Sequence, residues 1–152
     1  MGRIERRRTD RVIITNDLNL MSLANIFEFY DSRREGELVP PAIRPEGLVL
    51  DGNNRVVIAD VFGRTELDFY VAEDENDLMT EQMFPHAPAD VLRWMNGNID
   101  SRYDLVRSGL IRRNNIQRMR SGYPFLKDVE TAREYLREFK ARYNKPIFPI
   151  PE

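Results

Sequence analysis

The side chains able to carry chemistry in this chain are few. Its one imidazole, His86, sits in the Pro-flanked stretch Phe84-Pro85-His86-Ala87-Pro88. A Ser-His-Asp triad would have to use it, and no serine lies in a Gly-x-Ser-x-Gly turn. A lone imidazole cannot build a histidine-rich metal site. The absence of cysteine removes thiolate ligands, cysteine nucleophiles and disulfides. Neither a Gly-x-Gly-x-x-Gly turn nor a Walker loop is present, so no recognised phosphate cradle is expected. Carboxylates remain. Asp60 falls on the apolar face of an expected sheet, where a buried carboxyl with a raised pKa would serve as acid or base; the simpler expectation is that it lies near the sheet margin or pairs with an arginine such as Arg64. Glu66 and Asp68 alternate along a strand and read as its polar face. Glu73-Asp74-Glu75-Asn76-Asp77 lacks the ligand spacing and glycine of a calcium loop. It reads instead as the acidic start of a helix capped by Asn76 or Asp77.

Arginine is the other chemical resource, supplying 20 of the 23 basic residues. High-GC coding explains that surplus, and so does a demand for bidentate contacts. The charges are blocked along the chain. Residues 3–11 hold five arginines against two acids, residues 60–81 eight acids against Arg64, and residues 102–120 six arginines against Asp104. Such blocks pair within a fold, between subunits, or with a phosphate backbone. Arg107, Arg112, Arg113, Arg118 and Arg120 are the candidates for binding nucleic acid or an acidic partner. A helix at 89–96, a Gly-Asn turn, a helix at 101–108 and then Gly109-Leu110-Ile111-Arg112-Arg113 resembles the end of a winged-helix domain. That resemblance covers about 30 residues. It implies phosphate contacts by Arg112, Arg113, Arg118 and Arg120. It departs from the family in leaving room for two helices before the wing where the family has three.

Positioning these residues falls to an α+β domain. The expected fold is a three- to four-stranded antiparallel sheet, built on a meander at 47–72, covered by helices and flanked by extended N- and C-terminal arms. In the meander, Leu48–Leu50 leads into a hairpin turn at Asp51-Gly52-Asn53-Asn54. Arg55–Phe62, rich in β-branched residues, forms the middle strand, and Gly63-Arg64 turns into a third strand, Thr65–Ala72. In that strand Leu67, Phe69 and Val71 share one face, with Glu66, Asp68, Tyr70 and Ala72 on the other. Val12–Thr15 is expected at the sheet edge. A helix capped by Asn16 or Asp17 then runs to about Arg34, burying Leu20, Leu23, Ala24, Phe27 and Tyr30, with Gly36 ending it. Val39–Pro45, with three prolines, is an extended connector.

Beyond the sheet, Trp94 anchors the helix at 89–96. Residues 110–120 form either a basic hairpin or an irregular helix. The last helix starts near Pro124. Its apolar residues Phe125, Val129, Ala132, Leu136, Phe139 and Tyr143 step by four and three, a narrow seam that docks on this chain or on another copy.

The chain thus divides into a basic arm (1–11), expected to lack order by itself, a single domain (12–143, with sheet and helix to 72 and helices from 77), and an apolar Pro-rich tail (144–152). Ile147, Phe148 and Ile150 of the tail, with Phe139 and Tyr143, are the candidates for docking a partner.

No apolar run reaches membrane-span length, and no signal-peptide segment is apparent. A net charge of −2 over 152 residues excludes a globally polyanion-seeking protein. The expectation is a cytoplasmic, non-enzymatic interaction or assembly protein without cofactor. It would be a subunit of a larger complex or of a virus or phage particle, with a protein partner or a second copy engaged through its termini and charged blocks. The alternative is a small nucleic-acid-binding regulator using 89–120.

Overall fold

A computed structural model describes residues 2–15, 17–73 and 115–143. The chain runs β1 (Arg3–Arg8), α1 (Leu20–Asp31), β2 (Ala42–Ile43), β3 (Val49–Asp51), α2 (Asn53–Val61), β4 (Glu66–Val71), α3 (Ile116–Ser121) and α4 (Val129–Tyr143). Short 3₁₀ turns occupy Thr9–Arg11, Glu35–Glu37 and Pro124–Lys127. The fold is α+β, with one four-stranded sheet in the order β1-β4-β2-β3. The sheet is mixed rather than antiparallel throughout: β1 is antiparallel to β4, β4 parallel to β2, and β2 antiparallel to β3.

The middle strand of the expected meander is helix α2. Its residues Val56, Val57, Ile58, Ala59 and Val61 are all buried, so no exposed face exists to declare a period. An apolar run of this length suits a buried helix or a buried strand equally. Tertiary burial overrides the β-preference of its valines. The two glycines that looked like hairpin turns bound the helix instead. Gly52 precedes it in the left-handed region, and Gly63 closes it at φ 78°. The Gly63 N–H donates to the Asp60 carbonyl and the Arg64 N–H to the Ala59 carbonyl, a Schellman cap. Asn53 and Asn54 do not turn a hairpin. Asn53 Oδ1 accepts from the Thr15 N–H at 2.9 Å, and Asn54 Oδ1 from the Asn19 N–H at 3.0 Å, so both hold the segment before α1.

The N-terminal arm is a strand, not a disordered tail. Six register pairs join β1 to the outer edge of β4, from Arg3 opposite Val71 to Arg8 opposite Glu66. Its arginines lie against the acidic block of β4. Arg6 reaches Glu66 at 3.5 Å and Asp68 at 3.2 Å, and Arg3 reaches Glu73 at 2.7 Å. The chain then passes to the opposite side of the sheet, where Ile13 bridges Leu48 in parallel. That contact seats Val12–Thr15 at the β3 edge, as the sequence indicates. Gly47, at φ 98°, makes the turn between β2 and β3 beside the Arg11 carbonyl. A Cβ there would stand 2.8 Å from that oxygen.

Helix α1 starts later than its sequence suggests, at Leu20, because Asn19 rather than Asn16 or Asp17 supplies the cap: its side chain accepts from the Ser22 N–H at 2.9 Å. It ends at Asp31, five residues before Gly36. Leu23, Ala24, Phe27 and Tyr30 are buried and Leu20 partly so, as the helical spacing requires. On β4, Phe69 and Val71 enter the same core with Leu67 at its margin, as the sequence indicates, but Tyr70 and Ala72 on the other face are buried too, so the strand is covered on both sides at that end. Ile43, Val49, α2, Ile116 and Met119 of α3, Leu126, and Ala132 and Leu136 of α4 complete the core. Full burial of each large aliphatic side chain contributes roughly 1.5–3 kcal/mol.

The last helix begins at Val129 rather than near Pro124, because Asp128 caps it. The Asp128 carboxylate accepts from the Thr131 N–H at 2.7 Å and the Thr131 hydroxyl at 3.0 Å. The α4 seam docks on this chain's α1. The Arg133 guanidinium reaches Asp31 at 2.7 Å, and Lys140 Nζ reaches Glu28 at 2.7 Å. Residues 89–96 with Trp94, the segment at 98–109, His86, the acidic stretch 74–77 and the tail 144–152 lie outside the described residues.

Candidate functional site

Asp60 is the first sequence candidate to resolve. It stands in the last turn of α2, not on a sheet face, and its carboxylate accepts from Arg120 Nη1 at 2.7 Å. An acid near a helix C-terminus is opposed by the backbone dipole, and an arginine beside it offsets that cost. Arg120 also donates from Nε and Nη2 to the Leu126 carbonyl, at 3.0 and 2.8 Å, and from Nη2 to the Lys127 carbonyl at 3.0 Å. Both side chains are about four-fifths buried. The pair joins α2, α3 and the 3₁₀ turn before α4, which is an architectural duty. The expected partner of Asp60, Arg64, instead donates to Glu35 at 2.8 Å. Arg118 lies on the exposed side of α3, where its backbone N–H is capped by Asn115 Oδ1 at 2.9 Å. Arg107, Arg112 and Arg113 lie outside the described residues, as do Ile147, Phe148 and Ile150.

A groove of about 480 Å³ opens between the end of α1, the connector before β2, and the outer part of β4. Its apolar wall is Leu38, Val39, Pro40, Pro41 and Leu67, and Tyr30, Glu35, Arg33, Arg55 and Arg64 converge on it. Arg55 is mostly buried. It donates from Nη1 to the Val39 carbonyl and from Nη2 to Asp51 at 3.2 Å, and burial pushes its pKa down from the usual arginine range. Burial, with the Glu35 charge nearby, pushes the Tyr30 phenol up. Glu35 Oε1 is held by Arg64, while Glu35 Oε2 is buried without a donor. Arg33 adopts φ 59°, the left-handed position that closes α1. The Arg33 N–H donates to the Tyr30 carbonyl and the Arg34 N–H to the Phe29 carbonyl. These are the bonds that Gly63 and Arg64 make at the end of α2. Most of the groove's charges are thus engaged in holding the connector and the helix ends.

The α4 side presents a different surface. Tyr135, Phe139 and Tyr143 follow one another at every fourth residue, so they share one helical face. Phe139 and Tyr143 rings lie 4.4 Å apart. Tyr135 lies flat on Phe125, with centroids 4.0 Å apart and planes within 7°, and Tyr123 meets the edge of Phe125 at 5.9 Å. Tyr123, Phe125 and Tyr135 thus make one group of touching rings and Phe139 and Tyr143 a second, adjacent along α4; together the two groups are the ladder of this side. Tyr135 is 41% exposed and Tyr143 54% exposed. Each ring pair contributes about 0.5–1.5 kcal/mol beyond its buried area, which fixes the ladder's shape while leaving its outer face uncovered.

Two of the sequence's docking candidates, Phe139 and Tyr143, fall on this ladder. Tyr135 and the Phe125 ring beneath it extend it beyond those candidates. The signal was present in the four-residue spacing 135, 139, 143, but the narrower a/d seam through Leu136 points inward and omits Tyr135. Phe125 is recruited from the 3₁₀ turn and not from the helix.

Among the described residues, no group of three or more His, Asp or Glu side chains is placed to hold a metal ion, and no helix is long and apolar enough to cross a membrane. Comparison of the chain with protein-family models, curated proteins and solved structures finds no match.

Proposed function

We propose that this protein is a non-enzymatic interaction subunit that assembles with a protein partner through the α4 face. The observation that carries the reading is the aromatic ladder. Tyr135, stacked on Phe125, and Tyr143, tilted against Phe139, stand exposed on α4 beside the face that docks on α1. Aromatic side chains present large contact area at low entropic cost, and tyrosine keeps a hydroxyl for the wet rim, which is why such residues dominate interface centres. A contiguous apolar strip at a protein surface marks an interaction site more often than a single exposed apolar residue does.

The charge blocks support the same emphasis. Arg3 and Arg6 of the arm pair with Glu73, Glu66 and Asp68, Arg7 and Arg8 pair with acids of the arm itself, and Arg120 spends its donors inside the fold. Nucleic-acid binding, the alternative reading, then rests on Arg107, Arg112, Arg113 and Arg118. Membership of a larger complex or particle is compatible with the ladder, which would be covered in such an assembly.

The test is sedimentation velocity of the full chain and of its Tyr135→Ser/Tyr143→Ser variant over a range of concentrations. Association weakened at least tenfold in the variant is expected. Identical sedimentation of the two proteins, both associating, would remove the ladder from the interface.

A further inference from the structure

Taking the ladder as an interface, which is the reading above, we infer that its occupant is the Pro-rich segment Lys145–Glu152 of a second copy of this chain. Three features converge on that occupant. The first is chemical. Exposed aromatic rows that include tyrosines are suited to polyproline segments, whose conformation is largely pre-formed and so costs little entropy to bind. Lys145-Pro146-Ile147-Phe148-Pro149-Ile150-Pro151-Glu152 is such a segment, with Pro146 and Pro149 three residues apart, one turn of a polyproline helix.

The second is length. Eight residues at about 3.1 Å each span roughly 25 Å. The helical part of the ladder, from Tyr135 to Tyr143, rises only about 12 Å. The segment therefore covers those rings and reaches toward Phe125.

The third feature separates the second copy from the segment's own chain. Tyr143 is the last rung, and Pro146 follows only three residues later, so a segment lying on its own chain's ladder would have to reverse direction within two residues. Pro146 biases Lys145 toward an extended backbone, leaving Asn144 alone to make the reversal. Continuing outward onto a neighbour needs no such turn. Reciprocal exchange between two copies gives two identical contacts about a two-fold axis.

The experiment is complementation between two full-length variants, each checked for native circular dichroism. One loses the ladder (Tyr135→Ser/Tyr143→Ser) and the other loses the segment (Ile147→Ser/Phe148→Ser). Sedimentation velocity is run on the wild type, on each variant and on their equimolar mixture. The expected result is a dimeric wild type, two variants that stay monomeric at least tenfold above its dissociation constant, and a mixture that recovers a heterodimer through its one intact contact. Two monomeric variants whose mixture also stays monomeric would overturn the segment as occupant and leave the ladder as an interface for another partner. A ladder variant that dimerises like the wild type would overturn both readings. A wild type that stays monomeric throughout would overturn the second copy, whether its own segment or another protein covers the rings.

Discussion

The Arg120 guanidinium reaches from α3 to the Asp60 carboxylate of α2, 2.7 Å away, and the same fork holds the Leu126 and Lys127 carbonyls. One side chain thus fixes the angle at which the chain enters α4, and with it the position of Phe125, the ring on which Tyr135 lies.

Removing that fork leaves a partly buried carboxylate and two carbonyls without their donor. Arg120→Met is expected to destabilise the protein by about 2–3 kcal/mol, in line with hydrogen bonds to charged groups and the cost of an unpaired buried acid. Arg120→Lys, which keeps the charge but not the fork, should fall between the two. Urea unfolding of the three proteins measures this. A midpoint unchanged in Arg120→Met would contradict the architectural role.

Arg33 carries a second stability prediction. It occupies the left-handed closing position of α1 that Gly63 occupies in α2, so its Cβ meets a steric cost of about 1–2 kcal/mol. Arg33→Gly is expected to raise stability by about 0.5–1 kcal/mol, since the greater freedom of glycine in the unfolded chain takes back part of the gain. Thermal melting reads the sign directly, and a lower midpoint would mean that the Arg33 side chain stabilises the fold by more than its backbone strains it.

The helix architecture was legible in the sequence to the extent that polar residues declared a face. α1, and β4 from Glu66 to Phe69, alternate buried and exposed positions, so the spacing of their apolar residues is enough to name ones that enter the core; Tyr70 and Ala72, on the other face of β4, are buried as well. α2 has no such contrast: Val56 through Ala59 are buried all round, and its β-branched residues pointed to strand. The bounding glycines carried the better information, Gly63 above all. The arm looked unstructured because β1 has little apolar surface of its own. Its order depends on a strand about 60 residues away, and the complementarity of the two charge blocks was the local trace of that pairing. The ladder was half legible, through Phe139 and Tyr143. Its other half depends on a stacking contact between a 3₁₀ turn and a helix, which spacing within one element cannot reveal.

Acid should weaken the α1–α4 contact in a defined window. Hydrogen bonds from Arg133 hold the Asp31 carboxyl below the ordinary aspartate value of 3.8. A lowered folded-state value means that the stabilisation is complete above the unfolded value and is lost as the pH falls through the folded one. Asp31→Asn is therefore expected to melt below the wild type at pH 7, with the gap closing once the pH drops below about 4. A gap that stays constant from pH 7 to pH 2.5 would show that the carboxylate charge is not what Arg133 recognises.

Asp128 gives a matched case at the start of α4. The Thr131 N–H and hydroxyl bonds lower its pKa, so its charge-dependent stabilisation follows the same sign. Asparagine caps helices as well as aspartate but does not titrate. Asp128→Asn should therefore flatten the acid limb of the stability curve while changing the melting point at pH 7 little, as differential scanning calorimetry from pH 2.5 to 7 would record. An unaltered acid limb would assign that limb to other carboxylates.

Hydroxyl-radical footprinting of Tyr135 and Tyr143 in the full chain, at concentrations below and above the onset of association, reads whether the ladder is an interface. Both rings, open to solvent in the single chain, are expected to lose reactivity several-fold as the mass rises. Reactivity that stays constant at both tyrosines while the protein associates would place the interface elsewhere.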